Sequence, residues 1–265
     1  MNLHVEDTGG TGRPVVLIHG WPLSAAAWEH QVPALKEAGY RVISYDRRGF
    51  GRSEKPGEGF DYDTLAADLN GIMEDLDLQD ATLVGFSMGG GEVARFIPNH
   101  GEGRLRSVVF ASAVPPYLLK TDDNPDGPLT QDAADDFEKN LKGDRDAFFE
   151  GFAKDFYTAG DEMLVSDEEH RKAVALCKQS SEEAALGCMK AWATTDFRDD
   201  LKKITVPTLV LHGTGDGIVP IEGSGHRTHE AVANSTLVEL DGAPHGCNVS
   251  HKDQWNRALL DFLSK

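Results

Sequence analysis

Residues 81–91 read Ala-Thr-Leu-Val-Gly-Phe-Ser-Met-Gly-Gly-Gly, a short apolar run that ends in a serine between glycines, and a helix-like stretch follows over Glu92–Asn99. No other segment constrains the fold as strongly. Passing from strand to helix at a single serine forces strained backbone angles at Ser87, and the turn closes only if Gly85 and Gly89 carry no side chain. The Ser87 hydroxyl is then held clear of the sheet. The helix that begins just after it aims unpaired N–H groups and a partial positive charge at the place where an oxyanion would form. With 28 glycines in the chain, a Gly-x-Ser-x-Gly pattern arises by chance about once in seven such compositions, so the surroundings must carry the argument.

Those surroundings alternate. Strand-like runs at Val15–His19, Arg41–Tyr45, Ala81–Phe86, Ser107–Ala111, Thr208–Leu211 and Thr236–Leu240 are separated by helix-length segments at Ala27–Ala38, Leu65–Leu76, Gly90–Asn99, Glu222–Val232 and Lys252–Leu263. Near-continuous apolar strands in such an order predict an α/β protein, a mostly parallel sheet with helices on both faces. The alternation breaks once. From about Pro115 to Asp200 no strand is evident, and acidic helical stretches at Asp132–Leu141, Asp167–Cys177 and Glu182–Trp192 follow one another. An insertion of that length at the carboxyl edge of an open sheet reads as a lid. The expected organisation is a core formed by 1–114 and 201–265, interrupted by a helical lid at 115–200.

Composition narrows the partners. A formal charge of −18 repels phosphate backbones, and no basic patch offsets it, which argues against nucleic acid. No long uncharged apolar run exists for a membrane span, and the polar residues Met1–Thr11 do not read as a secretory leader, so the expected location is the cytoplasm. Cys177, Cys188 and Cys247 show no Cys-x-x-Cys spacing and read as reduced, buried residues.

An exposed serine becomes a nucleophile when a neutral imidazole accepts its proton, and the imidazole needs a carboxylate to fix its tautomer. Asp216 qualifies as the acid because it follows the strand Thr208–Leu211 within a turn, where it could alternatively bond only its own backbone. Of ten histidines, only His245 falls in a loop after the last strand; His212 ends a strand but precedes Asp216. Two donors are required for an oxyanion. The amide of Met88, directly after the serine, is one. The loop after Val15–Ile18 should supply the other, and because Pro22 has no N–H, Trp21 is the candidate.

Two rival motifs lose to simpler readings. His226, His229 and Glu230 form a His-x-x-His-Glu run, but zinc-binding helices place histidines four apart and no third ligand is evident, so the run reads as a solvated helix face. Gly89-x-Gly91-x-x-Ala94 has the outline of a dinucleotide fingerprint, but the next strand ends without a carboxylate, so these glycines read as close helix packing.

The segments Val16–Ser24, Tyr45–Ser53, Gly85–Arg95, Ile218–Pro220 and Gly242–Gly246 together resemble the α/β-hydrolases, most closely the bacterial cofactor-free haloperoxidases, also described as perhydrolases and aryl esterases. The resemblance covers essentially the whole chain. It implies an α/β-hydrolase fold with a sheet of the eight-stranded type, Ser87 as nucleophile, Asp216 as acid, His245 as base, and Trp21 with Met88 as oxyanion donors. It also implies that no cofactor and no metal are needed. Relatives of this group hydrolyse small esters, and some transfer the acyl group to hydrogen peroxide. Proline after the tryptophan, as in Trp21-Pro22, goes with peracid chemistry. Gly217 departs from the charged or amide residue usual after the acid, which predicts a looser Asp216 and weaker activity.

The expected function is therefore hydrolysis of short acyl or aryl esters through an acyl-enzyme, with perhydrolysis alongside. The acyl pocket is expected from Trp21, Pro22, Met88, Ile218, Val219 and lid aromatics such as Phe152 or Phe156. Alternatives on the same scaffold are a lactonase, a C–C hydrolase or lyase, or a ligand-binding protein without turnover. Because His245 must be unprotonated, activity should rise through about pH 6 to 7. Self-association into a homo-oligomer would be in keeping with the resemblance.

Overall fold

Every residue of Ala81–Phe86 is buried, and so is every residue of Pro14–Ile18 after the proline, as strands covered on both faces must be. The computed structural model describes residues 1–265. In chain order the elements are β1 (Val5–Asp7), β2 (Pro14–Ile18), α1 (Gln31–Glu37), β3 (Arg41–Tyr45), α2 (Tyr62–Asp75), β4 (Ala81–Phe86), α3 (Met88–His100) and β5 (Leu105–Ala111). Next come α4 (Gln131–Lys142), α5 (Arg145–Phe156), a small hairpin of β6 (Thr158–Ala159) and β7 (Glu162–Met163), α6 (Asp167–Cys177), α7 (Glu182–Thr194) and α8 (Arg198–Leu201). The chain closes with β8 (Thr208–Gly213), α9 (Gly225–Ala231), β9 (Ser235–Leu240), α10 (Cys247–Ser250) and α11 (Lys252–Leu263).

The main sheet has the order β1-β3-β2-β4-β5-β8-β9. All pairs are parallel except β1 on β3. Stepping from β2 out to β3 and back across to β4 through right-handed crossovers places α1 and α2 on opposite faces. Accordingly α1 packs with α11, while α2 packs with α3. The sheet has seven strands where an eight-stranded type was expected. One of the seven, β1, went unseen in the sequence because its three residues are a half-exposed Val-Glu-Asp with no apolar run.

Between β5 and β8 the chain is helical, as the break in alternation implied. The tiny hairpin β6–β7 was not expected there, since two-residue strands leave no periodic trace. Helix α5 was not delimited either. Asp144 caps it by accepting from the Ala147 N–H, and Phe149, Phe152 and Phe156 recur on one face. Trp21, on the loop after β2, packs edge-on against Phe148, Phe149 and Phe152 of α5 and Trp192 of α7. These helices therefore lie over the carboxyl end of β2.

Candidate active site

Three strand ends meet at one point. Pairing of Ile18 with Gly85 sets the loop after β2 beside the turn after β4. Ser87 sits in that turn at φ 54° and ψ −119°, a left-handed conformation that costs a non-glycine residue energy and is held by the surrounding bonds. Its N–H donates to the Ala111 carbonyl at 2.9 Å, and its own carbonyl accepts from the Gly90 N–H. A Cβ on Gly85 would lie 2.5 Å from the Gly89 carbonyl oxygen, and one on Gly89 would lie 2.5 Å from that of Ile18. Both glycines are thus sterically required. Gly90 and Gly91 serve packing, since side chains there would strike Ala113 and the Tyr62 ring, in agreement with the simpler reading of the Gly-x-Gly pattern.

His245, on the loop after β9, has Nε2 2.9 Å from Ser87 Oγ and Nδ1 2.7 Å from Asp216 Oδ2. A carboxylate can only accept from Nδ1–H, which leaves the Nε2 lone pair facing the serine hydroxyl. Asp216 also does what a turn aspartate does. Its Oδ1 accepts from the Ile218 and Val219 amides at 3.0 and 2.8 Å. Burial pushes the Asp216 carboxyl up, but the facing His245 and His212 outweigh it and hold the group well below the usual carboxylate range. With this many donors on it, the carboxylate is not loosened by Gly217 as the sequence predicted. A Cβ on Gly217 would meet open space, and the residue simply lines the cavity.

The Trp21 and Met88 amides donate to no group in the protein, as an oxyanion hole requires. What aims the Trp21 amide was not seen in the sequence. His19 accepts the Arg47 N–H at Nε2 (3.0 Å) and donates from Nδ1 to the Gly20 carbonyl (2.9 Å), while Arg47 Nη2 donates to the His19 carbonyl (2.6 Å). Arg47 is in turn bound by Glu92 of α3, whose other oxygen accepts from Tyr45 Oη at 2.7 Å. Burial, reinforced by the Arg47 charge, lowers the His19 pKa to about 3, so the ring is neutral. No local motif announces this network, because its members come from β2, β3 and α3.

A cavity of about 260 Å³ opens beside Ser87, and its lining is largely apolar. Trp21, Phe152, Ile218 and Val219 line it as expected, joined by Val114, Leu118, Leu129, Ala133, Phe137, Trp192 and Pro220, which the sequence did not point out. Pro22, Met88 and Phe156 do not line it. Pro22 and the Met88 side chain are buried in the core. Phe156 stands one helical turn beyond Phe152, and that step carries it past the cavity onto His245, with ring centroids 4.9 Å apart and nearly perpendicular planes. Cys247 is fully buried, and desolvation pushes its thiol up to about 12. His226 and His229 bond to Glu239 and Ser235 on a partly exposed helix face. Glu29, His30 and Glu169 also cluster, but Lys172 already bridges the two carboxylates.

The family model described as the alpha/beta hydrolase fold matches residues 13–251. The chain belongs to the α/β-hydrolase family. It is 42% identical to the non-heme chloroperoxidase CPO-A1 of Kitasatospora aureofaciens, over 97% of this chain and 94% of that protein. Similarity to the bifunctional esterase/perhydrolase DCH of Acinetobacter calcoaceticus is 36%, covering 99% of this chain and 96% of the relative. Among solved structures, bromoperoxidase from Bacillus anthracis superposes with a TM-score of 0.97 at 52% identity, over 99% and 95% of the two chains. The resemblance drawn from the motifs is thereby upheld at the level of the family. No helix of this hydrolase is long and apolar enough to cross a membrane.

Proposed function

We propose that this enzyme hydrolyses small carboxylic esters with apolar acyl groups through an acyl-enzyme on Ser87. The observation that carries the reading is the unbroken series Ser87 Oγ, His245 and Asp216, at 2.9 and 2.7 Å, opening on an apolar cavity. Ser87 attacks the ester carbonyl carbon as His245 Nε2 takes its proton, and Asp216 stabilises the imidazolium. The Trp21 and Met88 amides receive the oxyanion. Collapse expels the alcohol or phenol, which takes the proton back from His245. Water, deprotonated by the same nitrogen, then releases the acid and restores Ser87. The lid is assigned to 115–200, whose residues Phe137, Phe152 and Trp192 close the acyl cavity.

Hydrogen peroxide in place of water would release a peracid by the same steps. Two observations favour this second activity: Pro22 follows the oxyanion donor Trp21, and a relative carries the name esterase/perhydrolase.

The test uses a fluorophosphonate probe and p-nitrophenyl esters of increasing chain length, with and without peroxide. Labelling and turnover should both vanish in Ser87→Ala. Undiminished turnover in that variant refutes the proposal by moving the chemistry off Ser87, and an unlabelled, inactive parent protein refutes it and leaves a binding role.

A further inference from the structure

A second histidine touches the acid. His212, the fifth residue of β8, is fully buried, and its Nε2 lies 2.8 Å from the Val219 carbonyl oxygen and 3.2 Å from Asp216 Oδ2. A carbonyl oxygen can only accept, so Nε2 carries the proton and donates it to Val219, with the Asp216 Oδ2 charge beside it as a second, longer contact. Nδ1 has no partner in the protein. It faces Gly225, the first residue of α9, where a Cβ would lie 2.7 Å away, so α9 seals that side of the ring. The ring thus has a single orientation, with Nε2 as its donor.

We infer that His212 is a positioning residue that ties Asp216 to the wall of the acyl cavity and draws carboxylate charge away from His245. This rests on the proposed roles of Ser87, Asp216 and His245. The bonds form a closed loop: Asp216 Oδ1 takes the Ile218 and Val219 amides, while His212 joins Asp216 Oδ2 to the Val219 carbonyl. Ile218 and Val219 line the cavity, so acid and cavity wall move as one body. Asp216 Oδ2 is shared between His245 and His212. Removing His212 would leave the whole negative charge to His245, raising its basicity, and would free the carboxylate to turn.

The groups that face the carboxylate are His245 from the loop after β9, His212 from β8 and the buried Cys247 thiol from α10. In His212→Leu, kcat for p-nitrophenyl acetate should fall at least tenfold with KM changed less than threefold, and the acid limb of kcat/KM should move to higher pH. His212→Gln, whose amide nitrogen can stand near the Nε2 position, should recover most of kcat and return the limb. A Leu variant with parental kcat and an unmoved limb overturns the inference, even if it melts lower. Nitrogen-15 spectra of the parent protein supply an answer that needs no variant. They should report a proton on His212 Nε2 at pH 7, and a ring protonated at Nδ1 alone overturns the inference. Loss of activity in Ser87→Ala together with parental behaviour of both His212 variants would sink this inference alone, whereas undiminished activity in Ser87→Ala would sink the proposed function and this inference with it.

Discussion

Replacing Glu92 by Gln removes one charge from a place where water cannot compensate for it. The Glu92 side chain is 0% exposed and that of Arg47 1%. Burial pushes the Glu92 carboxyl up, and the Arg47 charge and the bonds from Arg47 Nε at 2.6 Å and Tyr45 Oη at 2.7 Å oppose that rise. The amide of the variant preserves volume and can still accept one bond. It leaves the Arg47 guanidinium as an uncompensated buried cation, which costs about 3–5 kcal/mol. A chain of 265 residues unfolds with an entropy of about 0.56 kcal/mol/K, so the melting temperature should drop by about 5–9 °C.

Calorimetry and urea unfolding, at pH 7 and fixed salt, measure this directly. Because Arg47 also holds the carbonyl of His19, two residues before the oxyanion donor, kcat should fall well below the parental value in a fully folded sample. A double variant, Glu92→Leu with Arg47→Met, removes both charges and should regain more than half of the lost stability. Glu92→Gln melting within about 2 °C of the parent refutes the reasoning, for it would mean that the pair contributes no more than an exposed one.

Stability should also fall with acidity before most carboxylates titrate. His19 titrates at about 3 in the folded protein and at about 6.5 unfolded, so between those values only the unfolded chain takes the proton, and stability declines by about 1.4 kcal/mol per pH unit. Asp216, held below its ordinary range, adds a further loss only below about pH 4. Urea titrations should therefore show a loss of about 2 kcal/mol between pH 6.5 and 5; a flat line there contradicts a neutral buried His19. Gly20→Ala puts a methyl 2.9 Å from Phe86 Cδ1 and 3.1 Å from Ser87 Cβ. It should cut kcat on p-nitrophenyl acetate by about tenfold or more, and parental kcat would show that this loop does not approach the oxyanion. Phe137→Ala enlarges the cavity where α4 meets Trp21 and should shift kcat/KM toward octanoate over acetate by about tenfold. An unchanged chain-length profile would remove Phe137 from the acyl pocket.

What the sequence made legible was whatever a local pattern enforces. The ends of the six expected strands came within two residues, because runs such as Ala81–Phe86 are largely apolar and bounded by polar residues, here Asp80 and Ser87. Ser87, Asp216 and His245 could be expected to meet because each follows a strand, and parallel strands bring their carboxyl ends to one edge; the structure places them in contact. Illegible were features set by how distant elements face each other. Phe152 and Phe156 are equally apolar, and only the placement of α5 sends one to the cavity and the other to His245. His212 was set aside on chain order, which governs the base but not a second donor to the acid. The pairing of Glu92 with Arg47 left no trace in the sequence, since the two stand 45 positions apart and meet only where α3 packs beside the end of β3.

The cavity walls divide by what else they hold. Ile218 and Val219 donate their amides to Asp216, so any substitution that moves their backbone also moves the acid. Ala133, Phe137 and Trp192 project from α4 and α7, and no hydrogen bond links them to Ser87, His245 or Asp216. Substitutions at Ala133 or Phe137 would thus reshape the cavity without breaking a hydrogen bond of Ser87, His245 or Asp216. Helix α5 is different in kind. Phe156 presses on the His245 ring, and its carbonyl accepts the Gly246 N–H at 2.7 Å, so the end of this helix is part of what holds His245. Motion of α5 would disturb His245 directly, whereas α4 and α7 reach the site through the cavity wall and the Trp21 ring, which packs on Phe137 and Trp192 and donates its indole N–H to Ala185.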